Sequence, residues 1–173
     1  MGAMENVGCV IYRDDYIERE QKQTGYTRQC IYNTFLHEIS HMWFGNLVTM
    51  KWWDDLWLNE SFANYVSFIC LDEAKGLEKY KDAWSIFINQ NFSGLNLDQG
   101  PTTHPIQVNV INTDAAQDIF DGISYGKGAS WLKQTFHRFG REVFKTAVES
   151  YFEEFKYQNT QLDDFFRHVG EAA

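Results

Sequence analysis

The sequence predicts a single, mostly helical α+β domain with a small strand region near its start. Apolar residues recur at helical spacing through most of the 173 residues, while the one clear β-prone run is short and N-terminal. A content of 44% hydrophobic and 17% aromatic residues can build one well-packed core at this length but hardly two. Two Pro and twelve Gly are too few for a linker-rich chain, and no repeat or low-complexity tract interrupts the pattern.

The elements follow in order. Residues 7–12 are apolar and β-prone and predict a strand; the polar stretch 13–25 predicts a loop. From about 26 to 44, Ile31, Phe35, Leu36, Ile39, Met42 and Trp43 keep helical spacing, which predicts a largely buried helix stopped at Gly45-Asn46. Residues 47–53 read as a brief strand or an extended turn. A second helix is expected from about 59 to 75, ended by Gly76, and a third from about 78 to 91. The Gly/Asn/Pro/Thr-rich segment 92–106 predicts a loop, and helix resumes at Asp114. Helices over 124–139 and 142–154 precede a last short one after Thr160, with Asp163 as its capping-box partner.

A formal charge of −9 and a pI near 4.9, with no basic stripe, argue against nucleic acid or an anionic membrane as the main partner. Cys9, Cys30 and Cys70 are odd in number and form no C-x-x-C pair, so buried free thiols are expected rather than disulfides or a thiolate metal site. No apolar run approaches the roughly 20 residues of a membrane span, and no basic-then-apolar leader opens the sequence.

The decisive segment is His37-Glu38-Ile39-Ser40-His41, an H-E-x-x-H inside the strongest helical pattern. Residues i and i+4 share one helix face, so both imidazoles can reach a single divalent ion, while Glu38 is free to hold a metal-bound water. A catalytic zinc takes three protein ligands and keeps one position open, so a third ligand must come from elsewhere. Glu60, at the start of the next helix and flanked by Trp57, Leu58 and Phe62, is the candidate. His104, His137 and His168 lack such company and read as surface or packing histidines. Asn64, one turn after Glu60, is a candidate to orient a ligand, with a packing or solvent-facing role the more ordinary expectation.

H-E-x-x-H, eighteen intervening residues and Glu60 within Trp57-Leu58-Asn59-Glu60 resemble the gluzincin zinc aminopeptidases of the aminopeptidase N type. Gly2-Ala3-Met4-Glu5-Asn6 resembles that family's exopeptidase signature. Phe44-Gly45-Asn46-Leu47-Val48-Thr49 with Trp52-Trp53 resembles the segment after its zinc helix, and Ile123-Ser124-Tyr125-Gly126-Lys127-Gly128-Ala129 its tyrosine motif. Val7 departs from the aromatic that many members carry after the signature.

The resemblance implies a thermolysin-like catalytic domain over 1–173, mainly helical with a small mixed sheet, one Zn2+ held by His37, His41 and Glu60, and Glu38 as the base. It also implies that the signature Gly2, Ala3, Met4, Glu5 and Asn6 binds substrate. Glu5 would take the free α-amine, Gly2 and Ala3 would line the peptide backbone, and Tyr125 would hydrogen-bond the developing oxyanion. Lys127 and Asp121 are expected to shape the helix start rather than to act chemically. Peptides with a free N-terminal amine are the implied substrates, and the family's N-terminal β domain and C-terminal helical domain are expected as flanking domains outside this chain. The alternatives are a thermolysin-type endopeptidase, which needs the zinc but no amine anchor, and a non-catalytic scaffold that retains the motifs.

Overall fold

The computed structural model describes residues 2–17, 24–74 and 82–173. A short antiparallel hairpin of β1 (Ala3–Met4) and β2 (Ile11–Tyr12) leads through a 3-10 turn, Asp14–Ile17, toward α1 (Gly25–Ser40). Strand β3 (Val48–Met50) and the long α2 (Leu56–Glu73) follow, then α3 (Ala83–Asp98) and the short α4 (Thr113–Asp118). A π-helical turn, Ile123–Lys127, runs into α5 (Gly128–Phe139), and α6 (Arg141–Phe155), β4 (Gln158–Thr160) and α7 (Leu162–Ala172) complete the order. The domain is mostly helical with small sheets, as predicted. Among the described residues the sheet is not one mixed unit: β1 pairs antiparallel with β2, and β3 pairs parallel with β4.

The core is organised around α2. Its Trp57, Leu58, Phe62, Ala63, Tyr65, Phe68 and Leu71 are all buried, so the helix is apolar nearly all round and must sit inside the fold. Phe87, Leu132, Phe144, Tyr151 and Phe165 from α3, α5, α6 and α7 close over it. Each such side chain contributes about 1.5–3 kcal/mol on burial, which fixes α2 firmly in the core. A smaller cluster of Leu56, Val110, Ala116 and Ile119 packs beneath Trp53 and Phe120.

Asp55 joins distant parts of this core. Its buried carboxylate accepts from Gln107 Nε2 at 2.8 Å, Trp57 Nε1 at 3.3 Å and the Leu162 backbone N–H at 3.3 Å. Burial raises its pKa, against these three donors. Asp55→Ala leaves the donors without an acceptor and is expected to lower unfolding stability by about 2–3 kcal/mol, read from the urea midpoint. Because the folded pKa is raised, the native state gains from protonation, and wild-type stability should decline as pH rises through that value. The Ala variant should lack this decline.

Several local expectations are corrected by packing. The strand placed at 7–12 is a hairpin, because the chain turns at Val7–Gly8, where the Cys9 N–H donates to the Asn6 carbonyl. Helix α1 stops at Ser40 instead of running to 44: the N–H groups of Asn46, Leu47 and Val48 reach back five residues, to the carbonyls of His41, Met42 and Trp43. Its buried side chains are also largely polar, namely Gln29, Asn33, Glu38 and Ser40, whereas Ile39 and Trp43 are 49% exposed. Helix α2 begins earlier than predicted, at Leu56, and ends at Glu73; the predicted stop at Gly76 and the start of the third helix at 78 lie outside the described residues. Helix α3 continues to Asp98 through the segment read as loop. There Gly94 meets Gly122 so closely that any side chain on it would collide with the Gly122 carbonyl, so the glycine that looked like a breaker is a packing contact. The last capping box is formed by Gln161 and Asp164, one residue later than expected. Cys9, Cys30 and Cys70 are free, but none is fully buried: Cys9 is exposed and Cys30 and Cys70 are half-buried.

Candidate metal centre and active site

The last turn of α1 carries His37, and His41, the helical-backbone residue that caps it, follows on the same face, as their spacing requires. Immediately after the helix the chain reverses at Gly45, whose φ of 130 favours glycine and where a Cβ would press on the Asn59 amide at 3.3 Å. The reversal turns the Phe44 carbonyl toward His41. His41 Nδ1–H donates to it at 2.9 Å, which leaves the lone pair of Nε2 facing inward.

Helix α2 supplies Glu60 from the other side. Its Oε2 lies 3.3 Å from His37 Nε2 and 3.2 Å from His41 Nε2, and the two Nε2 atoms are 3.0 Å apart. A tetrahedral zinc with bonds of about 2.0–2.1 Å holds its ligand atoms about 3.3 Å from one another. The three donor atoms therefore already stand at ligand spacing. Buried Glu60 Oε2 nevertheless has no aligned hydrogen-bond partner among the described residues, and the two Nε2 atoms face each other at hydrogen-bond distance, an arrangement that a shared cation would satisfy. Two imidazole nitrogens and a carboxylate are a donor set that suits zinc, and the residues fit the ion.

The electrostatics of the group agree with this geometry. Burial alone would raise the Glu60 carboxyl, yet the neighbouring imidazoles of His37 and His41 draw it down to about 2. Burial would likewise lower His41, but contact with Glu60, the Glu5 carboxylate and the Phe44 carbonyl lift it to about 9. Burial prevails at His37, whose pKa is lowered. The anionic carboxylate thus attracts positive charge into the triangle, which a proton on His41 or a divalent cation can satisfy.

This centre lies in a cleft of about 780 Å³ that also gathers Gly2, Ala3, Met4 and Glu5 from the β1 end, Glu38 from α1 and Tyr125 from the π-helical turn. Of the residues expected to hold metal, bind substrate or act chemically, Asn6 alone stays outside the lining: it is exposed in the hairpin turn. Val7 is likewise exposed and does not line the cleft. Glu5 Oε1 is 4.0 Å from His41 Nδ1. Glu38 is buried, with Oε2 lacking a hydrogen-bond partner among the described residues. Burial, with the Glu5 and Glu60 carboxylates adding and His41 opposing, pushes it up to about 7. The Tyr125 ring stacks on His37, centroids 5.9 Å apart. Burial and the facing carboxylates of Glu60, Glu5 and Glu38 hold its pKa far above the ordinary phenol value, so it remains a protonated donor.

Other residues place these groups and were not legible as doing so. Asn46 Nδ2 donates to the Glu5 carbonyl at 2.8 Å and ties the β1 end to the turn after α1. Asn64 Nδ2 donates to the Tyr125 carbonyl rather than to a ligand of the metal group. Trp53, Gln117 and Phe120 form a wall of the cleft. Asp121 does shape the helix start, as predicted: its Oδ1 accepts from the Ile123 and Ser124 N–H groups at 2.8 and 3.1 Å. Lys127 pairs with Asp98 at 2.9 Å. His104 contacts Asp121, and His168 is buried against Ser150 and Glu154, both away from the cleft.

A mostly helical domain that converges His37, His41 and Glu60 in a cleft has a candidate His/His/Glu metal site. Residues 1–173 match the Peptidase family M1 domain, and the chain belongs to that family of zinc-dependent hydrolases acting on peptide bonds. It is 44% identical to Aminopeptidase N of Streptomyces lividans over 99% of this chain and 20% of that protein. It is 39% identical to Leucyl aminopeptidase of Saccharolobus solfataricus, over 99% of this chain and 22% of the relative. Tricorn protease-interacting factor F2 of Thermoplasma volcanium is 41% identical over 97% and 21%. The chain therefore spans about a fifth of the length of the curated relatives it matches. No described helix is long and apolar enough to cross a membrane.

Proposed function

We propose that this chain is the catalytic domain of a zinc aminopeptidase that removes the N-terminal residue from peptides. The observation that carries the reading is the triangle of His37 Nε2, His41 Nε2 and Glu60 Oε2, with sides of 3.0 to 3.3 Å. When bound there, zinc supplies Lewis-acid polarisation of the scissile carbonyl and acidifies a water. Glu38 takes the proton of the attacking water and passes it to the leaving amine; a buried carboxyl raised to about 7 suits both halves of that task. Tyr125 donates to the oxygen that becomes anionic. Ala3 and Met4, on a two-residue strand at the cleft edge, offer main-chain pairing to an extended substrate.

Glu5 gives the exopeptidase character. Its carboxylate, facing the same cleft, takes the terminal ammonium in a charge-assisted hydrogen bond, so only the first peptide bond reaches the metal. The relatives' names, aminopeptidase N and leucyl aminopeptidase, support this reading, and their length supports further domains flanking a single thermolysin-like domain.

A zinc-loaded preparation assayed on aminoacyl anilides and on their N-acetylated counterparts tests it. Free-amine substrates alone should be turned over. Glu5→Gln is expected to lower kcat/KM on the free-amine substrate by about 10–100-fold, the worth of a hydrogen bond to a charge, without lowering any residual cleavage of the blocked one. Equal loss on both would remove the amine-anchor role, and efficient cleavage of blocked peptides would point to an endopeptidase.

A further inference from the structure

We propose that Ser61 and Asn64 are positioning residues that set where the Tyr125 phenol stands relative to the metal centre. The inference rests on the reading of Tyr125 as the donor to the developing oxyanion. Tyr125 does not sit in a regular helix. It lies within the π-helical turn Ile123–Lys127, in which the Gly128 N–H reaches back to the Ile123 carbonyl. Widened turns of this kind persist where neighbouring structure holds them, and they gather at functional sites.

Here the neighbouring structure is α2. Ser61, completely buried, donates through Oγ to the Ser124 carbonyl at 2.5 Å, and Asn64 Nδ2 donates to the Tyr125 carbonyl at 3.1 Å. Asn64 is buried and lines the cleft, yet its amide is spent on the backbone of the residue carrying the phenol. On the opposite side Asn91 of α3 lies against Gly126 and donates to Ser130 Oγ at 2.9 Å, so the turn is gripped from two helices.

The consequence comes from where the anchors stand on α2. Glu60 and Asn64 are one helical turn apart on the same face, and Ser61 adjoins Glu60. One rigid, buried helix thus carries a metal ligand and both hydrogen bonds to the tyrosine turn. The phenol and the residues that would hold the metal would act on the same carbonyl oxygen, and a common mount keeps their separation constant. Loss of an anchor lets the turn rotate Tyr125 about the helix axis, away from Glu60 and His37, while leaving the ligand triangle intact.

The test is a double-mutant cycle in the zinc-loaded chain, with substrate turnover and zinc content both measured. Asn64→Ala, with Asn64→Leu as a volume-keeping second variant should the first fold poorly, is expected to lower kcat by about 10–10²-fold, with KM and zinc content little changed. In a Tyr125→Phe background, where the phenol is already gone, the same substitution should change kcat less than about twofold. Ser61→Ala should follow the same pattern. A readout independent of turnover is the 19F resonance of 3-fluorotyrosine placed at position 125 in the metal-free protein, which should shift on Asn64→Ala. Equal losses of kcat in the two backgrounds, or an unmoved resonance, would overturn the positioning role while leaving Tyr125 as the donor. Full turnover by Tyr125→Phe would overturn the donor role and this proposal with it.

Discussion

Glu38→Gln is expected to reduce kcat by about 10²–10⁴-fold while the protein retains its zinc. The carboxyl is buried, faces the cleft, and leaves Oε2 without a partner among the described residues, so nothing in the protein competes for the proton it would accept. Gln preserves the shape and one acceptor oxygen but cannot take a proton at neutral pH. Its neighbours His37 and His41 would carry the ligand atoms, and the His41 ring is held by the Phe44 carbonyl rather than by Glu38. The pH dependence has a definite sign. Burial, Glu5 and Glu60 raise Glu38 to about 7, so its carboxylate form, and with it the rate, is lost as pH falls through its pKa; a bound cation moves that limb to lower pH. The Gln variant should lack the acidic limb attributable to Glu38. A variant that turns over at the wild-type rate with a full complement of zinc would dismiss Glu38 as the base.

Glu60→Ala is expected to abolish zinc retention, with binding weakened by more than the 10–100-fold that loss of an outer partner costs. Two imidazoles alone give a neutral, two-coordinate site, and the attraction that holds Glu60 near pKa 2 and lifts His41 to about 9 disappears with the carboxylate. Metal content after dialysis and competition with a chelator measure the effect directly. Added zinc should raise the melting temperature of the wild type, because it binds the folded state alone, and should leave that of the variant unchanged. One tightly bound zinc per chain in Glu60→Ala would show that the third ligand lies elsewhere. Glu60→Gln, with a neutral oxygen at the same place, should fall between the two.

Much of the site was legible because its strongest signals are local. The i, i+4 spacing of His37 and His41 places both rings on one face whatever the rest of the chain does, and Glu60 announced itself by an apolar setting that commits its helix to the interior. Resemblance extended the reading to Glu5 and Tyr125. Where the expectations failed, the cause was a contact between distant segments. Segment 92–98 has the composition of a loop, yet Gly94 lies on Gly122 and Asn91 on Gly126, contacts that only a continuous α3 can make. The apolar spacing of α1 suggested a greasy core helix, but the face turned inward is the polar one that bears Asn33 and Glu38, because the inward side of α1 is the wall of the cleft.

The sequence by itself determined the chemistry on offer and its periodicity: which residues can bind zinc, move a proton or donate to an oxyanion, and which of them share a helix face through backbone geometry alone. Tertiary structure decided their convergence. Glu60 meets two imidazoles at 3.2 and 3.3 Å, Asn46 draws Glu5 to the end of α1, and Ser61 and Asn64 hold the turn of Tyr125, only because burial of α2 forces segments far apart in the chain onto a common support. Spacing along one helix is a property of bonded neighbours; distances between elements follow from close packing of the whole core.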